Sequence, residues 1–360
     1  MIILDTFGYD RIKPPLIEFE DSLTGGMGTA VTHQTFRLMD PVSQRMMGVR
    51  ADMTPQAARI AQTRLINAPR PLRLSYAGQV VRVRGSQLRP ERQFTQVGAE
   101  LIGAPVPSGD AEIIAMAAES LLALGIDGLS VDLGMPTLVP AVCPLVGEDT
   151  QSGRQLRDAL DRKDTAAVKD FADEIGGPTA STLSAMLTAA GDALTTLDRL
   201  ADLDLGDAGA RERDALAETV NAVIARAPGL TLTVDPVENR GFEYHSGATF
   251  AFFARNVRGE LGRGGRYQTM ADQEQAGAAT GFTLFMDTVL RALPPYSGIN
   301  RVFLPIQLGF ERAQALRGEG WVVIEGLGAV DNDAAEAQRM NCTHLAHADG
   351  IVELEKNGDT

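Results

Sequence analysis

The sequence predicts an α+β fold built on an antiparallel sheet with flanking helices. Three observations predict it. Through residues 1–134, extended apolar runs come in pairs separated by short turn signals, the pattern of hairpins rather than of strand–helix crossovers. From about 136 to 229 the composition shifts to Ala, Leu, Asp and Arg at helical spacing. Strand-like runs then return, so the helices interrupt a sheet instead of following it.

The elements follow in order. Residues 35–54, "TFRLMDPVSQRMMGVRADMT", read as two extended runs around an Asp40-Pro41 turn. Thr54-Pro55 supplies an N-cap and a proline at the first helical position, and that helix carries Ala57, Ala58, Ala61 and Leu65 on one side. Segments 72–84 and 92–103 form a second, longer hairpin. Ser108 opens a helix that Gly125 ends, and "LSVDLG" is another strand. The stretch 136–229 reads as a separate, all-helical bundle whose charges form solvated faces. Strands resume with "LTLTVDPV" and "FEYHSGATFAFFARNV". "GELGRGGRYQTM" reads as a glycine-dense turn, and "ATGFTLFMDTVLRAL" as a strand end running into a helix. After Pro294-Pro295 a small α/β tail alternates strand and helix. The expected organisation is therefore a main domain over 1–293, interrupted by the 136–229 insertion, and a segment over 294–360.

The bulk composition is that of a globular protein: 360 residues, 44% hydrophobic and 22% charged. With 33 basic residues against 47 acidic and a net charge of -14, no basic face suited to nucleic acid is expected. The two cysteines, Cys143 and Cys342, have neither metal nor disulfide spacing, which fits a reducing, cytoplasmic compartment. No signal peptide and no membrane-spanning run is expected.

Four stretches carry candidate chemistry. Along Thr95–Leu101, Gln96, Gly98 and Glu100 share one face, while the other is largely apolar and should meet the core. Gly98 leaves room for a ligand against the backbone. Arg82 and Arg84 likewise share a face. Without more, the plainer reading of this hairpin is a partly exposed strand with surface salt bridges. "NRGFEYHSGATF" crowds Arg240, Glu243, Tyr244 and His245 between apolar runs, with no nucleophile at triad spacing. "GRGGRYQTM" offers Arg263 and Arg266 to a phosphate, but lacks the P-loop pattern and reads more simply as a turn. In "RADMTPQ", Asp52 and Thr54 stand at a helix N-terminus, where Thr54 is either a cap or a ligand contact.

In order, these pieces resemble the catalytic domain of the class II histidyl-tRNA synthetase family. "FGYDRIKPPLIEF" resembles its first motif, and "RADMTPQAARI" its R-P-[DE]-x-T-P stretch. "LRLSYAGQVVRVRGSQLRPERQFTQVGAELIG" is similar to motif 2 with its downstream Q-x-G-x-E. "NRGFEYHSG" is similar to the histidine loop, and "GGRYQTM" and "TGFTLFMDTVL" to the final motifs. The resemblance spans roughly residues 7–293 and implies a class II aminoacyl-tRNA synthetase-like sheet. It also implies that Asp52, Thr54 and Gln96 hold the α-amino group of histidine, Glu100 its imidazole and Arg240 its carboxylate. Arg82 would take the α-phosphate of ATP, and Tyr244, His245 and Tyr267 would line the pocket. An ammonium suits carboxylate and amide oxygens, and a carboxylate suits a guanidinium fork.

The departures from the family pattern are specific. Arg84 replaces the glutamate of motif 2. Phe285 stands where a small residue would lie under adenine, and Thr288 where an arginine would clamp the γ-phosphate. Losing such a contact at a reacting centre removes orders of magnitude in rate. His245 replaces a tyrosine that contacts imidazole, and Glu243 replaces an aspartate. The 300–360 segment is shorter than the family's anticodon-binding domain, and the first motif begins almost at Met1. An amino-acid half kept beside a nucleotide half lost is similar to the regulatory-subunit branch associated with ATP phosphoribosyltransferase. That resemblance implies a short-form catalytic subunit as partner, self-association as a dimer within a hetero-octamer, and L-histidine as effector of the first step of histidine biosynthesis. It implies no cofactor, no tRNA and no aminoacylation. The alternative is an active histidyl-tRNA synthetase or a stand-alone amino-acid-activating relative.

Overall fold

The computed structural model describes residues 1–25, 32–85, 90–238, 244–269, 277–294 and 300–354. The chain divides into two compact units, Met1–Leu293 and Pro294–Thr360.

In the first unit twelve strands are described: β1 Asp10–Arg11, β2 Ile17–Phe19, β3 Phe36–Met39, β4 Met46–Val49, β5 Leu72–Val81, β6 Gln93–Ile102, β7 Ser130–Gly134, β8 Gly191–Asp192, β9 Thr231–Val234, β10 His245–Phe253, β11 Gly262–Gln268 and β12 Ala278–Phe285. Nine form one sheet in the order β1-β5-β6-β12-β11-β10-β7-β9-β8. From β5 to β7 every pairing is antiparallel. The flanks are mixed, because β1 joins β5 and β9 joins β7 in parallel. The hairpin around Asp40-Pro41 is β3–β4, which pairs with β2 in a small antiparallel sheet. Asp40 fixes its turn by accepting from the backbone N–H groups of Val42 and Ser43.

Four expectations are corrected here. The glycine-dense stretch is not a turn: it is β11, at the centre of the sheet. Its glycines answer crowding between strands, since a Cβ on Gly264 would lie 2.0 Å from the Gly281 carbonyl oxygen. The insertion is not a separate bundle. Leu156, Leu183, Leu216 and Val220 share one apolar core with Leu101, Phe250 and Phe282 of the sheet. Nor is it all helical, because β8 adds a two-residue strand to the sheet edge. The long helices Pro107–Leu122 and Gly206–Arg226 back this face of the sheet. Pro107 rather than Ser108 opens the first of them, where its missing N–H costs nothing.

In the second unit, β13 Arg301–Leu304, β14 Val322–Glu325, β15 His344–His347 and β16 Gly350–Glu353 form a sheet in the order β14-β13-β15-β16. β14 and β15 flank β13 in parallel, and β16 closes an antiparallel edge. Helices Gly309–Gly318 and Asp333–Arg339 cover it. No described helix is long and apolar enough to cross a membrane.

Candidate functional site

A cleft of about 430 Å³ opens on the sheet face opposite the helical backing. Strand register builds it. One cross-strand row aligns Tyr76, Gly98, Thr283, Arg263, Ala251 and Asp132. The next aligns Leu74, Glu100, Gly281, Gly265, Thr249 and Gly134. A third pairs Tyr267 with His245. The second row has glycine at two adjacent positions, where neighbouring side chains take the space: a Cβ on Gly265 would lie 2.9 Å from His245 Nδ1 and from the Thr249 methyl. A Cβ on Gly281 would sit 1.8 Å from a Glu100 carboxylate oxygen.

Glu100 is the chemical centre of the cleft. Its side chain is buried, yet both oxygens are satisfied: Tyr76 donates to Oε1 at 2.8 Å and Tyr267 to Oε2 at 2.7 Å. Burial pushes its carboxyl up to about 7, although the two tyrosine hydroxyls pull it down. Tyr76 gives its one proton to Glu100, so it accepts from Thr54 Oγ1 at 3.0 Å. Burial, and then the same carboxylate, raises both tyrosine hydroxyls well above the ordinary value, keeping them neutral donors.

Thr54 does not cap its helix; Met53 holds the N-cap position and no side chain caps there. Asp52 accepts from the Thr54 N–H at 2.9 Å instead, freeing the Thr54 hydroxyl for Tyr76. Gln96 accepts from the Met53 N–H at 3.1 Å and donates to Asp52 Oδ2 at 3.3 Å. It is fully buried, is not among the residues lining the cleft, and its amide holds Asp52 in place. Arg82 bridges the Ala51 carbonyl at 3.1 Å and Asp52 at 3.5 Å, over the Phe94 ring.

Gly98 leaves no room for a ligand. A Cβ there would meet the Tyr76 ring at 2.5 Å, so the tyrosine fills the space the glycine vacates. Nor do Arg82 and Arg84 act together: β5 ends at Val81, and Arg84 is exposed while Arg82 is half-buried in the cleft wall. The apolar face of β6 meets the core as expected, but its polar face is buried too.

His245 opens β10, before a register shift that re-aims its side chain against the Tyr267 strand. Its Nδ1 lies 3.2 Å from the Arg266 carbonyl, and burial lowers the ring to about 4, so it stays neutral. Tyr244 stacks on Tyr267 at 5.5 Å and meets His245 edge-on at 4.9 Å. Arg266 points away into an ion pair with Asp110 at 2.8 Å, and it also donates to the Ala104 and Val106 carbonyls, so it is no phosphate contact. Arg263 does line the cleft, against Phe285. Phe285 is buried and packs edge-to-face on Phe94 at 5.9 Å. Thr288 is buried, accepts from Arg291 at 3.1 Å, and is not a lining residue. Arg240, Gly241 and Glu243 lie outside the described residues.

The structure thus brings Asp52, Thr54, Arg82, Glu100, Tyr244, His245 and Tyr267 to one cleft. Tyr76, the donor that holds Glu100, was missed by sequence reasoning. Its only signal was a tyrosine in strand period, and the offset placing it opposite Gly98 needs the hairpin register. Among the described lining residues, the carboxylates Asp52, Glu100, Asp132, Glu238 and Glu260 outnumber the guanidiniums Arg82 and Arg263. No described group of three or more His, Cys, Asp or Glu side chains is placed to hold a metal ion.

The family model of histidyl-tRNA synthetase matches residues 1–289. An ATP phosphoribosyltransferase regulatory subunit of Paramagnetospirillum magneticum is 55% identical over 97% of this chain and 90% of its own length. The chain belongs to the ATP phosphoribosyltransferase regulatory subunit family, on a histidyl-tRNA synthetase-like fold. The regulatory subunit of Rhodospirillum centenum is 51% identical over 97% of this chain and 88% of its own length. Among solved structures, an ATP phosphoribosyltransferase regulatory subunit/histidyl-tRNA synthetase from Bacillus halodurans superposes with a TM-score of 0.76 at 25% identity, covering 94% of this chain and 89% of that one. The ATP phosphoribosyl transferase (HisG:HisZ) complex from Thermotoga maritima shares the fold at a TM-score of 0.61 and 15% identity, covering 79% of this chain and 94% of that one.

Proposed function

We propose that this chain is a non-catalytic regulatory subunit of ATP phosphoribosyltransferase that senses L-histidine in the cleft around Glu100. The observation that carries the reading is the asymmetry of the cleft. Its amino-acid end keeps an ordered set of acceptors and hydroxyls: Asp52, Thr54, Tyr76, Glu100 and Tyr267. Its other end holds the buried Phe285 ring where a nucleotide base would need space, and buried Thr288 makes no contact with the cleft. Among the described lining residues carboxylates outnumber guanidiniums, which suits an amino acid's ammonium and ring N–H groups better than a triphosphate.

On this reading Asp52 takes the ammonium, Glu100 the imidazole and Arg240 the carboxylate. The partner on this reading is a short-form catalytic subunit; the names of the relatives support a catalytic partner. The regulatory chains self-associate as dimers within a hetero-octamer, and histidine feeds back on the first step of its own synthesis. A coupling of about 1–3 kcal/mol between histidine and the active state of the complex is sufficient for such feedback. Co-expression of the full chain with its cognate catalytic subunit tests this. The two should co-elute in size-exclusion chromatography, and histidine should inhibit the complex. Separate elution, or histidine-dependent ATP–pyrophosphate exchange by this chain alone, contradicts it.

A further inference from the structure

The second unit gathers its exposed apolar side chains at one end of its sheet. β14 and β15 run parallel to β13, so the chain leaves all three strands at the same end. There Leu304 pairs with Glu325, and the Gly326 N–H donates to the Leu304 carbonyl at 2.8 Å. A Cβ on Gly326 would lie 3.3 Å from the Ile306 nitrogen. The segments 305–311 and 326–333 therefore start side by side. They carry Ile306, Phe310, Leu327 and Val330, which are 47%, 66%, 95% and 40% exposed. Among the described residues of this unit, Val352 is the one other large apolar side chain so exposed. Single exposed apolar residues are ordinary, but four on two adjoining segments mark an interaction surface.

The charges at this end decide the kind of partner. Segments 305–311 and 326–333 and the β15–β16 turn at Ala348-Asp349 contain no Lys or Arg. They do contain the carboxylates Glu311, Asp331, Asp333 and Asp349. The ion pairs described in this unit, Arg317–Glu325 and Arg339–Glu336, use other acids. Arg312, in the first turn of helix Gly309–Gly318, is half-buried. An RNA would meet carboxylates with no cation beside them to answer its phosphates. A second copy of this chain would set the same acids against each other, which disfavours self-pairing. We propose that this end of the second unit docks the catalytic subunit, through an apolar segment of that subunit flanked by lysine or arginine. The proposal rests on the regulatory-subunit reading and gives its partner a surface. Ile306, Phe310, Leu327 and Val330 form the centre of the contact, and the carboxylates form its rim. Rim charges of this kind act on the encounter more than on the lifetime of the complex.

Surface plasmon resonance of the full chain against its purified cognate catalytic subunit, at low and at high salt, tests this. Phe310→Asp combined with Leu327→Asp puts charge at the centre of the contact. That pair should weaken the complex about thirtyfold or more, chiefly through faster dissociation. Glu311→Lys combined with Asp331→Lys reverses the rim. It should slow association about tenfold at low salt and little at high salt. All four side chains are exposed, so urea unfolding of both variants should match wild type. Unchanged affinity in the aspartate pair overturns the proposal. Faster association of the lysine pair also overturns it, because the facing surface is then acidic. So does a change in the chain's own oligomeric state in sedimentation with catalytic-subunit binding intact, which assigns the patch to a second copy. Failure of the wild-type chain to bind the catalytic subunit at all overturns the regulatory-subunit reading beneath it.

Discussion

Replacing Glu100 with glutamine tests the electrostatics of the site without any ligand. Glu100 is buried and its carboxyl is raised from the ordinary 4.5 to about 7, chiefly by burial. Because the folded-state value is the higher one, the contribution to stability is fully present below about 4.5 and is lost as pH rises through about 7. The displacement corresponds to about 3 kcal/mol. Glutamine is neutral throughout, so it removes that slope. It also sets an amide donor against one of the two tyrosine hydroxyls, a pH-independent loss of about 1–3 kcal/mol. Glu100→Gln should therefore be less stable than wild type at pH 5, and the difference should close or reverse by pH 8. Urea unfolding followed by far-UV circular dichroism measures this. Tryptophan fluorescence does not, because the single tryptophan, Trp321, lies in the other unit. Stability curves that stay parallel from pH 5 to 8 refute the reasoning.

Two further outcomes follow from the packing. Gly281→Ala places a methyl 1.8 Å from the Glu100 carboxylate; the displaced acid should weaken histidine binding more than tenfold in calorimetry, and unchanged affinity would place the ligand elsewhere. Arg266→Met strands Asp110, which is 2% exposed, so urea unfolding should show a loss of about 3–5 kcal/mol, whereas a neutral result would mean that Asp110 is already protonated in the fold.

Much of the site was legible in sequence, for identifiable reasons. The alternation of Gln96, Gly98 and Glu100 survives any register and placed a carboxylate on the correct face of β6. What that alternation did not reveal was depth: both faces of β6 are covered, so Glu100 is a buried acid rather than one at a wet surface. Gly98 and Gly264 misled in the same way. Each looked like space or a turn, and each is glycine because a neighbouring ring or backbone occupies the Cβ position. Such contacts join strands far apart in sequence, and no local pattern encodes them. Thr54 misled differently. Its position is that of a cap, but Asp52 satisfies the backbone there and releases the hydroxyl to Tyr76. The helical insertion was visible by period alone. Its fusion with the sheet core was not, since an apolar stripe does not name the surface that covers it.

On the proposed reading, a synthetase-type site is kept for an amino acid and closed to a nucleotide. Calorimetric titration of the full chain with L-histidine, in the absence and then the presence of Mg-ATP, tests it most directly. Saturable one-to-one binding of histidine that ATP leaves unchanged, with no heat from ATP itself, is the predicted result. Saturable ATP binding, or histidine binding that appears only with ATP, contradicts it.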